Sequence, residues 1–128
     1  MQKFEKRGFK LVAMKLCQPG VKKFEEHYDE HKGKPFFERI TKWAASGPVL
    51  AMVWEGDNVI ATGRKIIGAT SAMDRYPATI RGENSNSTQN NLIHGSDSVE
   101  SATREIKLWF TPEEQTSWTS HGQKWVYE

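Results

Sequence analysis

At 128 residues the chain is long enough for one small domain around a single core, and we read residues 1–128 as that domain. A charged fraction of 27%, an apolar fraction of 37% and a net charge of +2, with Lys and Arg scattered among Asp and Glu, leave no electrostatic footprint for nucleic acid. The single cysteine, Cys17, excludes an internal disulfide and fits a reducing compartment, and no apolar run approaches the length of a membrane span, so the default location is cytoplasmic.

In chain order, Met1 to Arg7 reads as the end of a helix whose beginning is absent, with Phe4 as its apolar contact and Gly8 as its C-cap. Phe9 to Leu16, apolar on both faces, reads as a strand. Pro19 and Gly20 turn the chain into a helix carrying Val21, Phe24 and Tyr28. A second helix begins after Pro35, with Phe36, Phe37, Ile40 and Trp43 as its buried face, and Ser46-Gly47-Pro48 stops it. Val49 to Trp54 is continuously apolar, the pattern of a strand covered on both sides. Asp57 can cap the following helix, which carries Val59, Ile60, Ile66 and Ile67 and leaves at Gly68. Ala69 to Thr79 has no period and contains Pro77, so it reads as a long loop, a feature that usually serves a site. Gly82 to Asn91 is almost wholly polar and reads as a loop without regular structure. Farther on, Thr111-Pro112-Glu113-Glu114 is a capping box with proline at the first helical position. Strands interleaved with helices give an α+β class.

The stretch with the most chemistry is Asn91 to Phe110. His94 precedes Gly95, Ser96 and Asp97, and then Val99, Ala102, Ile106 and Trp109 recur at helical spacing, so the imidazole stands at the mouth of an amphipathic helix. Asp97 and Glu100 have the spacing of a capping box that would start it. Unpaired N–H groups and the positive end of the helix dipole favour an anion there. Imidazole is a good nucleophile near neutral pH, so His94 could accept a phosphoryl group and pass it on. Taken alone, a histidine at this place is most often a capping or surface residue. No G-x-x-x-x-G-K-[ST] loop is present, so phosphate binding falls to side chains and helix ends.

The run N-x-I-H-G-S-D-S-V-E-S-A-x-x-E-I-x-L-W-F resembles the active-site signature of the nucleoside diphosphate kinases. The resemblance extends over nearly the whole chain, through FEKRGFKLVAMK, KPFF, SGPVLAMVWEG, GAT, TIRG and the WVYE end. It implies a ferredoxin-like α/β sandwich with an antiparallel sheet. It further implies that His94 takes the γ-phosphate of a nucleoside triphosphate and gives it to a nucleoside diphosphate in a ping-pong cycle. By the same resemblance Glu105, eleven residues on, orients the imidazole. Phe36 stacks the nucleobase; Arg64, Thr70 and Arg81 bind phosphate; Asn91 contacts the sugar; Tyr28 and Ser96 support the imidazole. No metal ligand is implied in the protein itself, because Mg²⁺ would arrive on the nucleotide phosphates. The partners implied are nucleoside tri- and diphosphates and further copies of the chain, as a hexamer or a tetramer.

Against the family pattern, the chain starts inside the first helix, without the preceding strand and its K-P-D-G motif. Losing one phosphate-binding donor such as that lysine costs about 10²- to 10³-fold in rate. GENSNSTQNN also stands where the family has an alternating apolar strand, and Ala72 and Ala78 replace a proline and a glycine. The alternative expectation is therefore an impaired member that binds nucleotides or joins an oligomer of active subunits.

Overall fold

The computed structural model describes residues 1–88, 90 and 92–126. In chain order its elements are α1 (Gln2–Glu5), β1 (Lys10–Cys17), α2 (Val21–His27), α3 (Phe37–Ala44), β2 (Val49–Glu55), α4 (Val59–Ile67), α5 (Ile80–Asn84), α6 (Val99–Trp109) and α7 (Gln123–Val126), joined by short 3-10 turns. The class is α+β. Strands β1 and β2 form a two-stranded antiparallel sheet, and Lys10 at the start of β1 is ion-paired at 3.2 Å with Glu55 at the end of β2. The chain divides into two compact units, a smaller one of Lys15–Ala51 and a larger one of Met1–Met14 with Met52–Glu128.

In the larger unit Ala13, Val53, Ile67 and Phe110 are buried. Phe4 of α1 packs on Trp54 with ring centroids 5.3 Å apart, and a Cβ at Gly63 of α4 would come within 3.1 Å of the same phenyl ring. That approach explains a glycine inside a helix, where it otherwise weakens the element. Gly8, at φ +84°, ends the first helical stretch as its sequence position suggests. The segment after α6 returns to β1: the Thr116 N–H donates to the Val12 carbonyl at 2.8 Å, and Trp118 Nε1 donates to the Leu11 carbonyl at 2.8 Å.

In the smaller unit α2 buries Phe24 and His27. Helix α3 buries Thr41, whose hydroxyl donates to the carbonyls of Phe37 and Glu38 at 3.0 and 2.9 Å. The buried side of α3 is narrower than the sequence suggests. Phe36 and Trp43, seven residues apart, share a stripe at its margin and are 38% and 46% exposed, whereas Phe37, Ile40 and Ala44 lie with Thr41 on the covered side.

Several local expectations need correction. The first residue of α6 is set by Ser98, not Asp97: the Ser98 hydroxyl accepts from the Ser101 N–H at 3.0 Å. Val99 is consequently in the first turn and 74% exposed. Asn58, at φ +55°, precedes α4 where Asp57 was expected to cap it. The Thr111–Glu114 capping box forms, but it closes only a three-residue 3-10 turn. Both strands are less covered than their apolar runs imply, with Leu16 73% and Leu50 49% exposed. Residues 82–84, read as loop, complete α5, because the Thr79 hydroxyl caps this helix by accepting from the Gly82 N–H at 3.0 Å. The next residues are held by polar groups, with the Ala72 N–H donating to Thr88 Oγ1 at 2.9 Å.

Candidate active site around His94

Helix α6 carries Glu105 on the side defined by Ala102, Ile106 and Trp109, so the helical spacing that turns those residues inward takes the carboxylate with them. Glu105 is 7% exposed, the one buried residue of its helix. A buried carboxylate requires a partner, and one is His94, whose Nε2 meets Glu105 Oε1 in a short contact. The imidazole itself remains 42% exposed. With Nε2–H donating to the carboxylate, the neutral ring carries its lone pair on Nδ1. The pair therefore sets an imidazole against a buried carboxylate able to balance an imidazolium.

The backbone on both sides of His94 is fixed by arginines. Arg64, from α4, donates through Nη1 to the Gly95 carbonyl at 2.7 Å. Arg81, from α5 and only 5% exposed, donates through Nη2 to the Ile93 carbonyl at 2.9 Å. Its Nη1 meets the Gly68 carbonyl at 2.9 Å and Thr70 Oγ1 at 3.3 Å. A Cβ at Gly95 would lie 2.7 Å from Ile67 Cδ1, so the glycine lets the backbone beside His94 approach α4 closely. The planar guanidinium fork matches the geometry of phosphate oxygens. Next to the pair, Asp97 is an exposed carboxylate held below the usual aspartate range, chiefly by a hydrogen bond from Ser101 and against a small desolvation cost, with Arg64 contributing attraction.

The larger unit thus brings together His94, Glu105, Arg64, Thr70 and Arg81, and half-buried Ser96 follows two residues after the histidine. Asn91 lies outside the described residues. Tyr28 and Phe36 belong to the smaller unit, where Tyr28 stands edge-on to His27 at 4.7 Å and Phe36 edge-on to His31 at 5.3 Å. Lys34 Nζ lies 5.9 Å from the Phe36 ring centroid. The sequence reading did not single out Arg75, which donates to three carbonyls in the loop between α4 and α5. Nothing in periodicity or motif marks such a residue, because its partners are main-chain oxygens.

Comparison with known proteins identifies the family. The family model described as nucleoside diphosphate kinase matches residues 1–115. Nucleoside diphosphate kinase of Neurospora crassa is 51% identical over 128 residues, covering all of this chain and 84% of that protein. Human nucleoside diphosphate kinase 3 is likewise 51% identical over 128 residues, with 76% of its length covered. Among solved structures, a halophilic nucleoside diphosphate kinase from Halobacterium salinarum in complex with CDP superimposes with a TM-score of 0.94 at 42% identity, covering 99% of this chain and 85% of that one. The ferredoxin-like α+β fold expected from the resemblance is the one found.

Proposed function

Because the chain belongs to the nucleoside diphosphate kinase family, we propose that it moves the γ-phosphate of a nucleoside triphosphate to a nucleoside diphosphate through a phosphohistidine at His94. The observation that carries this reading is the buried Glu105 carboxylate on Nε2 of an exposed imidazole. In the first half-reaction the Nδ1 lone pair attacks the γ-phosphorus, an N–P bond forms, the bond from that phosphorus to the β-γ bridging oxygen breaks, and the diphosphate leaves with the electron pair. The positive charge gained by the ring sits beside Glu105. In the second half-reaction a terminal oxygen of the acceptor's β-phosphate attacks the same phosphorus and the N–P bond breaks. The relative solved with CDP supports a nucleoside diphosphate as acceptor.

Arg64, Thr70 and Arg81 would hold the phosphates, where bidentate donors gain strength as charge moves between oxygens. Phe36, 38% exposed, would offer its ring to the base, a contact indifferent to base identity, with the Lys34 side chain moving aside. Asn91 would meet the sugar, and Tyr28 and Ser96 would support the ring. Mg²⁺ belongs to the substrate as the metal–nucleotide complex, offsetting phosphate charge. Assembly into a hexamer or tetramer and a cytoplasmic location complete the reading; among the described residues no helix is long and apolar enough to cross a membrane.

The test is incubation with γ-labelled ATP beside His94→Ala. Acid-labile, alkali-stable label on the parent alone, discharged by GDP, is the expected result. A folded parent that stays unlabelled would sink phosphotransfer; if it still bound nucleotide, the non-catalytic alternative would stand.

A further inference from the structure

Arg75 is an unusual expenditure of an arginine. It sits in the loop between α4 and α5, half-buried, and its guanidinium donates from Nε to the Ala69 carbonyl at 3.0 Å, from Nη2 to the Thr70 carbonyl at 2.8 Å, and from Nη1 to the Ser85 carbonyl at 3.0 Å. Residues 69 and 70 lie at the start of the loop and residue 85 just beyond α5, so one planar group ties the start of the loop to the residue that follows the helix it leads into. Thr70 is held from both sides, its carbonyl by Arg75 and its hydroxyl by Arg81 at 3.3 Å. A second bond, from the Ala72 N–H to Thr88 Oγ1, fastens the same loop to the polar stretch that leads toward His94. This loop has no ladder of its own, and a loop without one opens easily unless side chains close it.

We propose that Arg75 is a positioning residue that keeps the 69–85 segment closed, and so holds Thr70 and Arg81 where a nucleotide's phosphates would meet them. The inference rests on the phosphate-binding reading given above. Two of its three bonds go to carbonyls at exposed positions, Ala69 and Thr70, and the third to half-buried Ser85, where water can still reach when the guanidinium is removed. Global stability therefore changes little, while the binding-competent arrangement becomes a minority of the loop's conformations. If that fraction falls to about a tenth, the apparent dissociation constant rises about tenfold. Chemistry at His94 is little changed once nucleotide is bound, because Glu105 and the Arg64 bracket on Gly95 lie outside the 69–85 segment, and bound phosphate selects the closed arrangement in which Arg81 also holds the Ile93 carbonyl.

Arg75→Ala and Arg75→Lys are compared with the parent, and with Met73→Ala, which alters an exposed side chain of the same loop. The readouts are affinity for N-methylanthraniloyl-ADP with Mg²⁺, by fluorescence, and the rate of His94 labelling at saturating γ-labelled ATP. The expected result is about tenfold weaker binding in Arg75→Ala, a labelling rate at saturation within threefold of the parent, and no change in Met73→Ala. Arg75→Lys should restore less than half of the lost binding free energy, since a point charge cannot serve three carbonyls at once. Parental affinity in Arg75→Ala overturns the proposal, as does a parent that binds no Mg-ADP. A parent that binds but is never labelled defeats the phosphotransfer reading, and a binding loss confined to the Arg75 variants then still supports this one.

Discussion

Replacing Glu105 by Gln preserves volume and removes the charge behind His94. The carboxylate side chain is 8% exposed, so water cannot take over its role at Nε2. A hydrogen bond to a charged partner contributes about 1.5–3 kcal/mol net. If that contribution is realised as the ring becomes an imidazolium during phosphoryl transfer, its loss slows His94 labelling about 10- to 150-fold. The effect is on the chemical step. Glutamine can also donate its amide to Nε2, which would place the proton on Nδ1 and occupy the nucleophilic lone pair, pushing the loss to the upper end. Glu105→Asp keeps the charge but withdraws it by about one methylene and should fall between parent and glutamine variant. The assay is single-turnover labelling from γ-labelled ATP, with near-ultraviolet circular dichroism to show that the fold is kept. Labelling of a folded Glu105→Gln at the parental rate would refute the assignment of the carboxylate to the imidazole's charge.

Three further outcomes follow from the packing. Gly82→Ala would place a Cβ 2.0 Å from the Tyr76 carbonyl oxygen and 2.8 Å from Thr79 Oγ1, so the start of α5 must shift; we expect a loss of about 1–3 kcal/mol in urea unfolding, and an unchanged midpoint would contradict the close approach. Trp54 Nε1 is buried without a hydrogen-bond partner among the described residues, so Trp54→Phe forfeits no hydrogen bond but thins the packing against Phe4; we expect a loss of about 1–3 kcal/mol in urea unfolding, and a loss well above about 3 kcal/mol would contradict the unpartnered nitrogen. Ser101→Ala removes the hydroxyl that holds the Asp97 carboxyl down, and the titration followed by carbon NMR should move up toward the ordinary aspartate range. The depressed value means that this interaction is present at neutral pH and is lost as pH falls through the folded-state value.

The sequence carried α1 to α4, α6 and both strands because apolar spacing and Pro-Gly punctuation are local signals: α4 runs from Val59 to Ile67 and leaves at Gly68, φ +100°, where the pattern stops. The His94–Glu105 pair was legible through resemblance, and the helical phase of Glu105 beside Ala102, Ile106 and Trp109 gives it a physical basis. Burial was the harder inference. Trp43 and Leu50 are hydrophobic and exposed, since which apolar residues are covered depends on neighbours far off in sequence. The cap of α6 was misplaced by one residue because Asp97 and Ser98 are both competent caps and only backbone geometry chooses between them. The polar run after Arg81 gave no periodic signal, yet its first residues complete α5 and the next are fastened by Arg75 and Thr88, bonds to main-chain groups that no residue pattern records.

The most direct measurement is the site of phosphorylation within the His94 ring, read by phosphorus and nitrogen NMR on protein labelled with stoichiometric ATP. Glu105 holds Nε2, so the account requires the phosphoryl group on Nδ1. Phosphate on Nε2, or on any other residue while His94 stays unmodified, would contradict it.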